Sequence, residues 1–282
     1  MSQLPTIPFG PQGPLITRVG LGGEGVLRTT GQDARAREVI HQAISQHITY
    51  FDTAPAYEES QAYLGSVWAE RPQVCDTIFQ TSKSPSRTYG QAMADLTNSL
   101  NTLHRDHLDL WQIHDLRTWE DIRQMEGPGG ALEAFVQARE EGRARHIGAT
   151  GHHDPEVLKY AVTHWPLDSV LLPANPAETL LGGFLDGVVD EAKDREMTVI
   201  GMKCLGGGMF VQPENGITAD ILIRYALNCP VDLIIVGCAT PDHVRELVSA
   251  ATDTKDALAR FRQLEDAFEP HASKLAYYRG RV

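Results

Sequence analysis

The stretch from Thr77 to Asp115, TIFQTSKSPSRTYGQAMADLTNSLNTLHRDHLDLWQIHD, contains two apolar runs on either side of an amphipathic segment. The runs are TIFQTSK (77–83) and LDLWQIHD (108–115), and the apolar residues between them recur at intervals of three and four. Such recurrence is typical of a helix, and mostly apolar runs are typical of parallel strands covered on both faces. The stretch therefore predicts a strand–helix–strand unit.

The same alternation continues in both directions along the chain. Six further strand-like runs lie at 17–23, 48–54, 145–151, 169–175, 198–204 and 233–239. Before them, two short extended pieces around a Pro/Gly turn (6–18) predict a hairpin. Eight such units in a row predict an α/β fold, a (β/α)₈ TIM barrel with an N-terminal β-hairpin.

The rival fold is a doubly wound open sheet. Its dinucleotide fingerprint, GxGxxG, is not matched by LGGEGV (21–26), because the glycine spacing differs. We expect one domain over residues 1–282, since such barrels commonly fill a chain of this length. The tail after residue 255 is predicted to form a terminal helix followed by an extension.

Composition excludes some partners. A formal net charge of −12 gives no general attraction to nucleic acid or to anionic membranes. No run approaches the roughly 18 consecutive apolar residues of a membrane span, and the first residues lack a signal-peptide pattern.

The cysteines lie in apolar runs without CxxC spacing, which indicates reduced, structural residues and no metal site: Cys75, Cys204, Cys229 and Cys238. We expect a cytoplasmic protein.

Reactive side chains cluster at the carboxyl ends of three neighbouring strands, where TIM barrels carry their active sites. Asp52 and Tyr57 follow the second strand, Lys83 ends the third, and His114 ends the fourth. A nearby ammonium is expected to lower the pKa of the phenol, and an aspartate keeps that ammonium charged. A histidine can hydrogen-bond and polarise a carbonyl oxygen. None of the four supplies hydride, so this set predicts a redox cofactor.

Each of these residues also has an ordinary structural interpretation. Asp52 can cap a turn, Tyr57 can be a surface aromatic, Lys83 can be solvated, and His114 can be a core histidine. Their joint placement on adjacent strand ends favours catalysis.

At these residues the chain resembles the aldo-keto reductase superfamily. The segment from Phe51 to Gly65 is similar to the family pattern FDTAxxYGxSExxLG, and Lys83 and His114 match the family's lysine and histidine. The resemblance covers nearly the whole chain. It implies a barrel that binds NADP(H) or NAD(H) without a Rossmann domain, and reduction of carbonyls to alcohols with Tyr57 as the acid.

The resemblance extends to the cofactor half of the family site. There it implies contacts from Gly22, Gly23, Asp52, Thr150, Asn175, Lys203, Leu205, Gly206, Gly237, Thr240, His243 and Glu246. Several family positions carry other residues in this chain. Gly151 and Leu171 replace the pair that holds the nicotinamide amide, and Met202 replaces the stacking aromatic. Leu247 replaces an adenine-site asparagine, Gly237 and His243 replace the basic residues around a 2′-phosphate, and Glu58 replaces a glycine.

Other functions share some of these features. The same four residues could serve an NAD-dependent alcohol or sugar dehydrogenase. The altered cofactor positions also suit a non-catalytic nicotinamide-binding redox sensor. His114–Asp115 together with Gly151–Asp154 would suit a metal-dependent hydrolase. We expect a small-molecule carbonyl or alcohol partner. Trp119 is a candidate pocket aromatic, and the short C-terminal region predicts an open site.

Overall fold

The N-terminal residues form the predicted hairpin. The computed structural model describes residues 3–253 and 257–280. Strands β1 (Thr6–Pro8) and β2 (Leu15–Thr17) pair antiparallel, with Ile7 opposite Ile16. The hairpin turn carries Phe9, which is buried with its ring centroid 4.7 Å from that of Phe79. The hairpin thus packs against the amino-terminal end of the barrel.

Parallel strands close a barrel, which confirms the predicted fold class. In chain order the eight strands are β3 (Val19–Gly25), β4 (Tyr50–Phe51), β5 (Phe79–Ser84), β6 (Leu108–Ile113), β7 (Ala144–Thr150), β8 (Ser169–Pro173), β9 (Thr198–Met202) and β10 (Leu233–Cys238). Each pairs with its neighbour in sequence, and β10 pairs with β3 to complete the ring. All eight coincide with the runs identified in the sequence.

Helices surround the strands. Those before residue 150 are α1 (Asp33–Ser45), α2 (Ser60–Glu70), α3 (Tyr89–Leu103), α4 (Trp119–Glu126) and α5 (Ala131–Glu140). Those after it are α6 (Pro155–His164), α7 (Pro176–Leu181), α8 (Val189–Asp194), α9 (Ala219–Asn228), α10 (Pro241–Thr252), α11 (Leu258–Phe268) and α12 (Ala272–Leu275). Helix α4 begins at a capping box, in which Thr118 and Asp121 satisfy each other's backbone N–H groups. Helix α3 packs so closely on α2 that a Cβ on Gly65 would lie 1.9 Å from the Thr102 carbonyl oxygen.

Two apolar layers hold these elements together. One lies between the strands and the helices, and the other fills the barrel interior. The interior layer includes Tyr50, Phe79, Leu110, Leu171, Ile200 and Leu233. Because this layer and the hairpin fill the amino-terminal end, ligands can reach the strands from the carboxyl end.

The C-terminal tail contains the predicted helix, α11, and continues through α12 to a turn at residues 276–278 and a short irregular segment that reaches residue 280. Residues 255–256 and 281–282 of that tail lie outside the described residues. In the part of the chain that is described, no helix combines the length and apolar character needed to cross a membrane.

Candidate active site

The four predicted catalytic residues meet at the carboxyl end of the barrel. Asp52 follows β4, Lys83 lies near the end of β5, and His114 follows β6. Tyr57 lies in a turn after β4, where its N–H donates to the Ala54 carbonyl at 3.0 Å. Glu58 continues this turn with φ of 46°, in the left-handed region that favours glycine. That conformation explains why the family pattern has a glycine here.

Asp52 and Lys83 form a buried ion pair. The Lys83 ammonium donates to Asp52 Oδ1 at 2.6 Å, to Asp52 Oδ2 at 2.7 Å and to the Thr53 carbonyl at 2.9 Å. The Thr81 hydroxyl donates to Asp52 Oδ1 at 2.9 Å. Both charged side chains are at most 1% exposed. Three acceptors for three ammonium protons satisfy the lysine fully, although burial still lowers the pKa of Lys83.

The Tyr57 ring lies between the lysine and the histidine. Lys83 Nζ is 4.8 Å from the ring centroid, and the His114 ring meets it edge to face at 5.5 Å. Burial, and then the Asp52 carboxylate, raise the pKa of Tyr57 well above its usual value of 10.0. The expectation that Lys83 lowers this pKa is therefore wrong, because Asp52 compensates the ammonium and the phenol is nearly enclosed. Tyr57 keeps its proton at neutral pH and is present as the potential acid.

His114 is neutral in this environment. Burial, and then the charge of Lys83, lower its pKa from 6.5 to about 3. The backbone N–H of His114 donates to the Ser84 carbonyl at 2.9 Å, and Arg87 Nη2 donates to the backbone carbonyl of His114 at 3.1 Å, so these bonds hold the main chain and do not involve the ring. A neutral imidazole has one N–H donor. His114 can thus offer a hydrogen bond to a carbonyl oxygen without adding charge.

Glycines keep the adjoining strand ends close together. A Cβ on Gly23 would lie 2.7 Å from the Asp52 carbonyl oxygen and 2.9 Å from Tyr57 Cδ2. Gly22 and Gly237 face each other across β3 and β10, where a Cβ on Gly22 would lie 3.1 Å from the Gly237 nitrogen. Gly23 therefore provides the space in which Tyr57 packs.

Among the predicted cofactor contacts, Thr150 and Asn175 are buried and their side chains already bond to other parts of the protein. The Thr150 hydroxyl accepts from the Asp115 N–H at 2.7 Å. The Asn175 amide donates to the Tyr278 hydroxyl at 2.8 Å, and its oxygen accepts from the Glu178 N–H at 3.2 Å to cap α7. Both Thr150 and Asn175 are at most 2% exposed. Their side chains thus lie just beneath the surface at the carboxyl end of the barrel, the opening that is called the mouth below, and they support that surface.

The segments after β9 and β10 leave backbone at the surface. Gly206 is buried against the Phe210 ring, whereas Gly207 and Gly208 are exposed, and Leu205 is half-buried. The remaining predicted contacts lie at the start of α10: Thr240 caps the helix, His243 is exposed with Nδ1 accepting from the Ala239 N–H, and Glu246 is exposed. Helix N-termini of this kind suit phosphate groups.

Residues 18–217 match the sequence profile of the Aldo/keto reductase family. The chain belongs to this family.

Similar proteins are found among curated sequences and among solved structures. The 6-dehydroglucose reductase of Novosphingobium aromaticivorans is 26% identical over 236 residues, covering 76% of this chain and 74% of its own. Aldo-keto reductase YhdN of Bacillus subtilis is 27% identical over 207 residues, covering 67% of this chain and 59% of its own.

Two solved aldo-keto reductases share the fold. The holo form of a Bacillus halodurans enzyme superposes with a TM-score of 0.76 at 17% identity, covering 96% of both chains. A Klebsiella pneumoniae aldo/keto reductase in complex with NADP and acetate has a TM-score of 0.75 at 19% identity, covering 93% of this chain and 96% of its own.

Several substituted positions of this aldo/keto reductase belong to its apolar layers. Leu171 and Met202 pack in the barrel interior, and Leu247 is buried on the inner face of α10. Gly151 lies against Leu116 and Leu158, whose atoms a Cβ would meet at 3.2 Å. These side chains contribute packing at the strand ends and offer no polar group to a nicotinamide amide.

One wall of the mouth has no counterpart among the residues predicted from the sequence. Segment 277–280 lies over the ends of β7 and β9, where the Tyr278 ring contacts His152 and the Lys203 ammonium. Arg279 Nε donates to both Glu178 oxygens at 3.2 and 3.3 Å, and the Gly280 N–H donates to the His153 carbonyl at 2.9 Å. This segment partly walls the site that the short C-terminal region predicted to be open. Such a long-range contact has no signal in a single sequence.

The structure also places two charged residues that were not predicted, the predicted pocket aromatic Trp119, and the residues of the metal-site alternative. Arg28 lies beside the mouth, with its guanidinium 5.2 Å from the Tyr57 ring centroid, and it pairs with Glu24 at the end of β3. The position of Glu24 at a strand end is a sequence signal that identifies it as a candidate site residue. Trp119 instead packs edge to face with Tyr160 of α6, at 5.5 Å, among the outer helices. Among residues 3–253 and 257–280, no group of three or more His, Cys, Asp or Glu side chains is placed to hold a metal. The hydrolase alternative therefore lacks a ligand set there.

Proposed function

We propose that this chain is an NADP(H)- or NAD(H)-dependent reductase that converts aldehydes or ketones to alcohols. Tyr57 is the general acid, His114 orients the carbonyl oxygen, and Lys83 with Asp52 holds the acid in place. The observation that carries the proposal is the buried, protonated phenol with Lys83 Nζ 4.8 Å from its ring and the His114 ring at 5.5 Å.

The mouth has features that fit a nicotinamide nucleotide. Exposed Gly207 and Gly208 present backbone without side chains, and the Thr240-capped start of α10 presents N–H groups. Such amides suit the nucleotide's phosphates. We propose that the predicted contacts act here, with Thr150 and Asn175 supporting the surface. The bound nucleotide supplies hydride to the carbonyl carbon. NADP in the Klebsiella pneumoniae relative supports this assignment.

The protein's own groups then handle the proton. The Tyr57 hydroxyl bond breaks as its proton goes to the carbonyl oxygen, which has gained negative charge. The neutral His114 donates a hydrogen bond to the same oxygen and so stabilises that charge. A proton from solvent then restores the Tyr57 hydroxyl.

Replacing Tyr57 with phenylalanine tests this role. Removal of a general acid should lower kcat by roughly 10²- to 10⁴-fold, while the nucleotide dissociation constant stays within about two-fold. The assay is NADPH or NADH oxidation with a panel of small aldehydes and sugars, with nucleotide binding followed by fluorescence. Tyr160→Phe, which removes a tyrosine hydroxyl from the outer helix α6, is the matched control. Full turnover in Tyr57→Phe would exclude Tyr57 as the acid.

The alternatives are less well supported. A dehydrogenase needs phenolate Tyr57 as base, whereas burial and Asp52 raise the pKa of this group. A pure sensor has no need for the Lys83–Asp52 pair beside a protonated phenol. The name of the Novosphingobium relative supports a sugar-derived carbonyl among the substrates to test.

A further inference from the structure

The charges around the mouth do not pair completely. In the described part of the chain, the charged side chains at the mouth include the cations Arg28, Lys83, Arg117 and Lys203 and the carboxylates Glu24, Asp52 and Asp115; Arg87, beside His114, is paired with Asp121 at 2.9 Å. Arg28 Nη1 lies 2.9 Å from Glu24, Lys83 lies 2.6 Å from Asp52, and Arg117 Nη2 lies 2.6 Å from Asp115. Each carboxylate is thus paired with one cation, and Lys203 is left over.

Lys203 lies directly after β9, with φ of 57° and a half-buried side chain. Within residues 3–253 and 257–280, its ammonium makes no hydrogen bond or ion pair at close range, and it lies 5.3 Å from the centroid of the Tyr278 ring. Burial lowers the pKa of Lys203, and the carboxylates of Glu24 and Asp115 oppose that shift. Burying a cation without a partner costs free energy, so another role must maintain it.

The electrostatic neighbours of Lys203 locate its ammonium. Glu24 lies at the end of β3, Asp115 follows β6, and His152 follows β7. Glu24 and Asp115 act on the pKa of Lys203, and Lys203 in turn lowers that of His152. Lys203 Nζ is also 5.3 Å from the centroid of the Tyr278 ring, and that tyrosine contacts His152 after β7 and Asn175 after β8, so the ammonium lies over the mouth. Since burial and Lys203 both lower the pKa of His152, that histidine adds no second cation at neutral pH.

Support of Tyr278 does not account for the lysine. Tyr278 is already held by the Asn175 amide at 2.8 Å and by the neighbouring Arg279–Glu178 pair. A contact between an ammonium and an aromatic ring contributes only about 0.5–2 kcal/mol. The ammonium's hydrogen-bonding capacity is still unused, since a lysine offers three donors.

We propose that Lys203 binds an anionic oxygen group, a carboxylate or a phosphate, of a ligand that enters the mouth with the reacting carbonyl. This inference rests on the proposed reductase function and adds a recognition site to it. The group belongs either to the nucleotide, as a phosphate, or to the substrate, as an acid group. In a chain with net charge −12, such a local cation provides the attraction that the overall charge does not.

The test compares Lys203→Met with Lys203→Gln, and with Lys193→Met as the control. Lys193 is exposed on α8, so its replacement makes the same change of charge away from the mouth. NADPH binding is measured by calorimetry. Reduction of succinic semialdehyde is compared with that of butyraldehyde, because the two have the same chain length and differ in one carboxylate. Glyceraldehyde 3-phosphate and glyceraldehyde form a second pair.

Loss of a charged hydrogen bond changes an equilibrium roughly 10- to 100-fold. If the nucleotide carries the anion, the NADPH dissociation constant should rise by that factor in both Lys203 variants. If the substrate carries it, that constant should stay unchanged, and the ratio of kcat/KM between acidic and neutral aldehydes should fall by that factor. Lys193→Met should do neither.

The two proposals fail in different ways. If the wild type reduces no carbonyl, the proposed function fails. If the wild type reduces aldehydes but both Lys203 variants leave NADPH affinity and the ratios within two-fold, only the Lys203 site is refuted. An effect as large in Lys193→Met would also refute it. Thermal unfolding of each variant identifies one that fails to fold, and Lys203→Gln then replaces Lys203→Met.

Discussion

Replacing Asp52 with asparagine would leave the Lys83 ammonium buried without the carboxylate that now holds it. Lys83 is fully buried, and its remaining acceptors would be the Thr53 carbonyl, at 2.9 Å, and the new amide oxygen. Breaking a buried pair by removing one partner typically costs roughly 3–5 kcal/mol. We expect Asp52→Asn to be destabilised by that amount at pH 7.

Deprotonation of Lys83 limits how much unfolding free energy Asp52→Asn can lose. Lys83 can escape the penalty by giving up its proton, which costs about 5 kcal/mol at pH 7 for a group whose unfolded pKa is about 10.4. When Lys83 is neutral in the folded variant, the unfolded chain binds one more proton than the folded chain. The stability of the variant therefore rises with pH. The destabilisation relative to wild type should therefore shrink by about 1.4 kcal/mol per pH unit, to about 2 kcal/mol at pH 9.

Equilibrium unfolding in urea at pH 7, 8 and 9 measures these differences. The comparison includes wild type, Asp52→Asn, Lys83→Met and the double variant, in which neither charge remains. The double variant should be more stable at pH 7 than Asp52→Asn alone, because it buries no ammonium. Glu120→Gln, which removes an exposed carboxylate from α4, should leave the stability close to that of wild type. A loss below about 1 kcal/mol in Asp52→Asn, or a double variant no more stable than it, would refute the reasoning.

Three further changes test other parts of the site. Because the folded pKa of His114 is about 3, its contribution to stability is complete above about pH 6.5 and declines as the pH falls towards 3. Wild type should lose about 2.5 kcal/mol more than His114→Asn between pH 7 and 4.5, as measured by urea unfolding. Arg279→Met leaves Glu178 buried and unpaired, so limited proteolysis should cut the C-terminal tail faster than in wild type. Gly23→Ala should displace Tyr57, lowering kcat at least about ten-fold at a cost of roughly 1–3 kcal/mol in unfolding free energy.

The fold was largely predictable, because its strands are signalled locally. Each of the eight apolar runs contains or overlaps a barrel strand, even where that strand is short, as at Tyr50–Phe51. The catalytic group was predictable for the same reason. Asp52, Lys83 and His114 lie within or just beyond three successive strands, and parallel pairing of those strands brings them together.

Properties set by the environment were not predictable in this way. The pKa of Tyr57 depends on how closely the site encloses it, and no spacing in the sequence reports enclosure. The position of Asn175 predicts a cofactor contact, but it does not show that the side-chain oxygen caps α7 and that the side-chain NH2 donates to Tyr278. That tyrosine lies 103 positions further along the chain, so the pairing is visible only once the tail is folded back.

The catalytic and binding sides of the mouth follow different physical rules. A buried ion pair such as Lys83–Asp52 must be complete within the protein, because either charge alone would be expensive. A binding residue must keep some capacity unused until its ligand arrives, and the unpaired ammonium of Lys203 has this property. A charged side chain whose hydrogen bonds are all made within the protein therefore holds the protein's own groups in place. A charged side chain with unused donors is available to bind a ligand. By this criterion the proton-donating side of the site is already assembled, and the anion-binding side is centred on Lys203.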